Sequence, residues 1–90
     1  MRFESGRVVA TPGALGALEE AGADALALLS RHLRGDCWGE VPKEDARENE
    51  RSLKHGFRVL SSYPLRTGAK LWTITEADRS STCLLLPSEY

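Results

Sequence analysis

Ninety residues, 41% hydrophobic and 28% charged, describe one small globular domain rather than a disordered chain. At this size folding buries only about 60% of the surface that the unfolded chain exposes, which argues against a deep catalytic cavity. The net charge of −1 arises from 12 basic and 13 acidic residues spread evenly along the chain, so neither a phosphate-gripping basic stripe nor an acidic mimic of DNA is expected.

The opening MRFESGRVVATPG holds no apolar stretch of signal-peptide length, and no run approaches the ~20 residues of a membrane span. Cys37 and Cys83 are far apart and form no CxxC, which predicts reduced thiols in a cytoplasmic protein. Cys83 lies inside an apolar run and reads as buried packing.

In chain order, Arg7-Val8-Val9-Ala10 is a short β-prone piece. Thr11 and Pro12 then supply an N-cap and a first helical residue, where the missing proline N–H costs nothing. Leu15 and Leu18 give this short helix an apolar side, and Gly22 ends it. Asp24 caps a second helix over 25–34, with Leu26, Leu29 and Leu33 as its stripe and Gly35 as its stop. As the most hydrophobic helix, it is expected to lie directly on the sheet. Trp38 sits between Gly35 and Gly39 in an irregular link, where it can plug a sheet edge or anchor a partner. A third, heavily charged helix over 42–55 has Ala46, Asn49 and Leu53 as its only inner stripe, and its charges read as a solvated face.

Residues 58–87 form an antiparallel meander of three short strands. With Arg66-Thr67-Gly68-Ala69 as the first turn, Tyr63 falls opposite Trp72 and Ser61 opposite Ile74. A four-residue second turn, Ala77-Asp78-Arg79-Ser80, sets Ile74 opposite Cys83 and Trp72 opposite Leu85, whereas a three-residue turn flips the last strand to the other face. One face then collects Val59, Tyr63, Leu65, Trp72, Ile74, Cys83 and Leu85, and this face is expected to receive the helices. The fold class is therefore α+β: one domain, with a strand and about three helices in 1–57 and the meander in 58–90, covered by helices on one face.

Chemistry-bearing constellations are sparse. His32, Cys37, His55 and Cys83 are separated by four, seventeen and twenty-seven residues, which matches no compact zinc pattern. There is no GxSxG elbow and no phosphate-binding glycine loop, so no catalytic residue, metal or cofactor is assigned. Glu76, Asp78 and Arg79 meet at one turn, but turns gather such residues for structural reasons.

The string ATPGAL (Ala10 through Leu15), Gly35-Asp36, Trp38-Gly39, Asn49-Glu50 and the closing W-x-I-T-E-A-D-R-S-x-T-x-L-L-L-P-x-E-Y (72–90) resemble a family of small bacterial proteins carried on plasmids and other mobile elements. Cys37, between Asp36 and Trp38, and Cys83 depart from its pattern. The resemblance implies a setting and no mechanism: proteins that antagonise host defence, of anti-CRISPR or antirestriction type, or small regulators of element transfer.

The expectation is a non-enzymatic interaction protein that binds a protein or ribonucleoprotein complex of host defence, without a small-molecule substrate or a membrane. Asp36, Trp38, Asp78 and Arg79 are its candidate contact residues, with the last two exposed at the tip of their turn. The alternative is a nucleic-acid-binding regulator using Arg58, Arg66, Lys70 and Arg79. A hydrolase centred on Asp36 or on Glu76 and Asp78 is the least favoured. Uncovered strand edges leave a homodimer open.

Overall fold

The computed structural model describes residues 3–35, 39, 41 and 43–90. Strand β1 (Arg7–Ala10) leads into helices α1 (Pro12–Ala21), α2 (Ala25–Arg34) and α3 (Lys43–His55). Strands β2 (Val59–Pro64), β3 (Lys70–Thr75) and β4 (Ser81–Leu85) follow, and a single 3-10 turn, Pro87–Glu89, closes the chain. This is the expected α+β arrangement, with one enlargement. The leading strand joins the meander: the sheet has four strands in the order β1-β4-β3-β2, and β1 runs parallel to β4.

The helix ends obey their caps. The Thr11 hydroxyl accepts the Ala14 N–H at 3.1 Å, and Asp24 accepts the Leu26 N–H at 3.0 Å. Gly22 and Gly35 terminate α1 and α2 in the left-handed conformation. Arg66 then donates to the Ala21 carbonyl at 2.6 Å, placing a cation at the negative end of α1.

The first hairpin corrects the expected register. The Leu65 N–H bonds the Ala69 carbonyl at 2.8 Å and the Gly68 N–H bonds the Leu65 carbonyl at 2.9 Å, so only Arg66, Thr67 and Gly68 form the loop. Gly68 has φ 95°, the positive-φ residue that ends a three-residue hairpin loop. Removing one loop residue shifts every pair: Tyr63 faces Leu71, and Trp72 faces Ser62. The second hairpin keeps the expected pairs, Ile74 with Cys83 and Trp72 with Leu85. Because side chains alternate, the one-residue shift turns Trp72, Ile74, Cys83 and Leu85 onto the face opposite Val59 and Tyr63.

The helices therefore cover Val59, Ser61, Tyr63, Leu71, Thr73, Thr75, Thr82 and Leu84, all buried. Against this inner face α1 supplies Ala14, Leu18 and Ala21, which pack with Leu65, Leu71 and Leu84. α2 contributes less than its composition suggests. His32 and Leu33 are buried, but Leu26 is 71% exposed.

Helix α3 packs along the β2 edge rather than over the face. The Asn49 side-chain amide donates to the Leu60 carbonyl at 2.5 Å and accepts the Leu60 N–H at 3.0 Å, occupying both outward backbone groups of that residue. Gly39 forms a bridge to Ser62 on the same edge. A Cβ at Gly39 would stand 1.9 Å from the Ser62 carbonyl oxygen, so only glycine permits this approach. One sheet edge is thus closed.

Candidate partner-binding face

Three groups of polar side chains could have carried chemistry, and each is occupied in holding the fold. The first is buried. His32 Nδ1 meets the Ser61 hydroxyl, and Nε2 meets the Thr75 hydroxyl at 2.9 Å. Thr75 and Thr82 hydroxyls lie 2.7 Å apart, and Thr82 donates to the Ser5 carbonyl at 2.8 Å. Phe3 packs edge-on against the imidazole at 5.3 Å. Burial pushes the His32 pKa down to about 4, and the Arg79 charge adds to the effect, so the ring is neutral. A Ser–His pair of this kind resembles a nucleophile with its base, yet Ser61 and His32 are 0% exposed and no substrate reaches them.

The second group is the β3–β4 turn. The Arg79 N–H bonds the Glu76 carbonyl at 2.9 Å, and Arg79 itself has φ 60°, an unusual conformation for a side-chain-bearing residue. Its guanidinium donates to three carbonyls: Phe57 at 2.6 Å, Glu76 at 3.0 Å and Ser52 at 3.0 Å. Arg79 thereby fastens the C-terminal end of α3 to the turn. Its side chain is only half-exposed and fully employed, so the expected pair of exposed tip residues reduces to Asp78. Asp78 accepts the Ser80 N–H at 3.0 Å. The Ser80 hydroxyl and N–H hold its carboxyl below the usual range. Asp36 and Trp38, the other two expected contact residues, lie outside the described residues.

The third group joins the chain's two ends. Glu89 accepts the Thr11 hydroxyl at 2.5 Å and the Leu86 N–H at 2.9 Å, and its second oxygen lies against Gly13 in the first turn of α1. The Thr11 bond and then the Leu86 N–H lower the Glu89 pKa, as a carboxylate near a helix N-terminus should be. Cys83 goes the other way: burial, followed by the charges of Glu89 and Glu76, raises its thiol pKa, which disfavours the reactive thiolate.

Two surfaces differ from these. One is a charged hollow of about 620 Å³ along α3, between Arg47, Glu50, Arg51, Leu53 and Lys54. The other is the outer face of the sheet, where Ile74 and Leu85 are buried but Trp72 is half-exposed. Its central row runs Val9, Cys83, Ile74 and Leu60 across all four strands, with Leu85, Trp72 and Ser62 beside it. Tyr90 packs edge-on against Trp72 at 5.7 Å. Arg58 lies over the Tyr90 ring at 5.4 Å and donates to its hydroxyl at 2.9 Å. Between Arg58, Leu60, Trp72, Ile74 and Tyr90 is an open hollow of about 280 Å³. A second, of about 290 Å³, lies on the other side of Trp72, bounded by Val41, Asp45, Lys70 and Pro87. The two hollows flank Trp72, the first apolar with Arg58 and the 70%-exposed Tyr90 on its rim, the second more polar, with Lys70 beside Asp45.

No family model, curated protein or solved structure matches this chain. Its chemistry must be argued from the side chains. Among the described residues no group of three His, Cys, Asp or Glu side chains is placed to hold a metal ion, and no helix is long and apolar enough to cross a membrane. Among the candidate contact residues the sequence offered Arg58 only for a nucleic-acid partner and did not offer Trp72 or Tyr90, because the four-residue loop placed Trp72 under the helices. The signal that would have found them is Gly68, third in its loop.

Proposed function

We propose that this chain is a non-enzymatic binding protein that docks on a protein partner through the outer sheet face. The observation that carries this reading is the groove across Trp72. Beside Trp72 it is apolar, rimmed by Tyr90 and Arg58, and open to solvent, whereas the three polar clusters described above are committed to the fold. Aromatic and arginine side chains beside a desolvated pocket are the usual composition of binding hot spots. The partner chemistry that fits is an apolar side chain beside a carboxylate, which Arg58 would face.

The sequence resemblance to mobile-element proteins directs the choice of partner to protein or ribonucleoprotein complexes of host defence, with this chain as their inhibitor in the cytoplasm. The test is expression of the chain in cells carrying a defined CRISPR or restriction system. Restored plasmid transformation, together with co-purification of a named complex subunit, is expected. Both should be lost on Tyr90→Ala combined with Arg58→Glu. Unchanged immunity with no association for the unmodified chain would refute the reading.

The rival reading, a nucleic-acid-binding regulator, draws on Arg58, Arg66, Lys70 and Arg79. Within the chain Arg58 bonds the Tyr90 hydroxyl, Arg66 the Ala21 carbonyl and Arg79 the Ser52 carbonyl, so their charges are tied to the fold. A gel shift that weakens steeply with salt would favour that reading; no retardation at low salt would remove it.

A further inference from the structure

We infer that β1 is a dimerisation edge, pairing antiparallel with β1 of a second copy about a two-fold axis through Val9. The two sheet edges are treated differently. β2 is closed by Asn49 and Gly39, whereas β1 is exposed, with Val8 45% and Val9 42% accessible. β1 is short and begins with Arg7, but its run Val8-Val9-Ala10 is uncharged and contains neither a proline nor a bulge, two of the devices that protect an edge.

Backbone direction fixes the register. The Arg7 N–H bonds the Ser80 carbonyl just before β4 at 2.9 Å, and the Thr11 N–H bonds the Leu84 carbonyl at 3.0 Å. Alternation then turns the N–H and C=O of Val8 and Ala10 outward. An axis through Val9 sets Val8 opposite Ala10 of the copy, and the two pairs exchange four backbone hydrogen bonds. An axis through Val8 would instead set Ala10 against Gly6, whose φ of 61° takes it out of the extended conformation. The Val9 axis keeps every paired residue within extended chain, since Thr11 has φ −74° and ψ 155°.

Two further features fit this register. Val9 meets its own copy on the outer face, so the row Leu60-Ile74-Cys83-Val9 continues into the same row reversed. Arg7, on that same face, falls opposite Thr11 of the copy, whose hydroxyl already holds the Glu89 carboxylate. Each seam end thereby gains an Arg7–Glu89 ion pair between copies. A surface that is self-complementary in backbone, apolar row and charge takes a second copy of this chain rather than an unrelated strand.

Sedimentation of the full chain at about 100 μM, enough to populate any dimer tighter than that Kd, should give twice the 9.9 kDa chain mass. Val8→Pro removes only an outward N–H and should weaken association roughly tenfold or more while circular dichroism stays unchanged. Arg7→Glu, at an exposed position, should weaken it independently and most at low salt. Amide exchange at Val8 and Ala10 should slow with rising concentration, while exchange at Val9 should not change. A monomer at this concentration, or a dimer indifferent to both substitutions, would overturn the inference.

Discussion

Acid should unfold this protein through His32 before its carboxylates titrate. The imidazole is buried between α2 and the inner sheet face. It is bonded to Ser61 and Thr75, packed by Phe3 and exposed to the positive field of Arg79 from the β3–β4 turn. Its pKa is about 4 in the fold against 6.5 for the free group, so between those values the unfolded chain binds a proton that the folded chain refuses. Stability then rises with pH across that window: the His32 contribution is complete above 6.5 and is lost as the pH falls toward 4. At ~1.4 kcal/mol per pH unit the gap corresponds to roughly 3 kcal/mol, a large part of the 5–15 kcal/mol that usually holds a domain together. Urea denaturation at intervals from pH 7.5 to 4.5 measures it. The unmodified chain should lose most of this stability below pH 6.5. His32→Leu should be less stable at neutral pH but nearly flat over the same range. Equal slopes for the two chains would refute the argument.

Asn49→Ala should cost about 1–3 kcal/mol in urea unfolding, because both backbone groups of Leu60 lose their partner on the closed edge. Arg79→Ala should cost about 2–3 kcal/mol by releasing three carbonyls. Arg79→Gly should be milder by up to ~1 kcal/mol, since glycine relieves the positive φ; a glycine variant no better than alanine would show that the backbone carries no strain. Gly68→Val should lower the thermal midpoint by straining φ 95°, and an unchanged midpoint would argue for a different first loop.

Local signals were legible where a few adjacent residues settle the conformation. Thr11-Pro12, Asp24, Gly22 and Gly35 marked α1 and α2 correctly, and the Asp78 turn fixed the second hairpin. The first hairpin was less determined, because R-T-G-A accepts a loop of three or four residues and only the phase of Gly68 separates them. That single residue decided which sheet face is open, and so hid the groove across Trp72. Long-range partners left no local trace. Nothing in Arg79's neighbourhood announces the Ser52 and Phe57 carbonyls, and nothing in Arg7-Val8-Val9-Ala10 announces β4. The leucines of α2 misled in the opposite direction: Leu26 has helical periodicity with Leu33, but Leu33 is buried and Leu26 is exposed.

The parallel pairing of β1 with β4 has a consequence for how the chain is made. Arg7 aligns with Ser81, 74 positions later, and Thr11 waits for Glu89. At a synthesis rate of about 5–20 residues per second, the first strand exists for roughly 4–15 s before its partner does. Its valines spend that interval without a sheet. The helices can form in order as they emerge, but the sheet closes only after residues 81–89 have been made, so losing the turn that holds Glu89 would unfasten Thr11 at the other end of the fold.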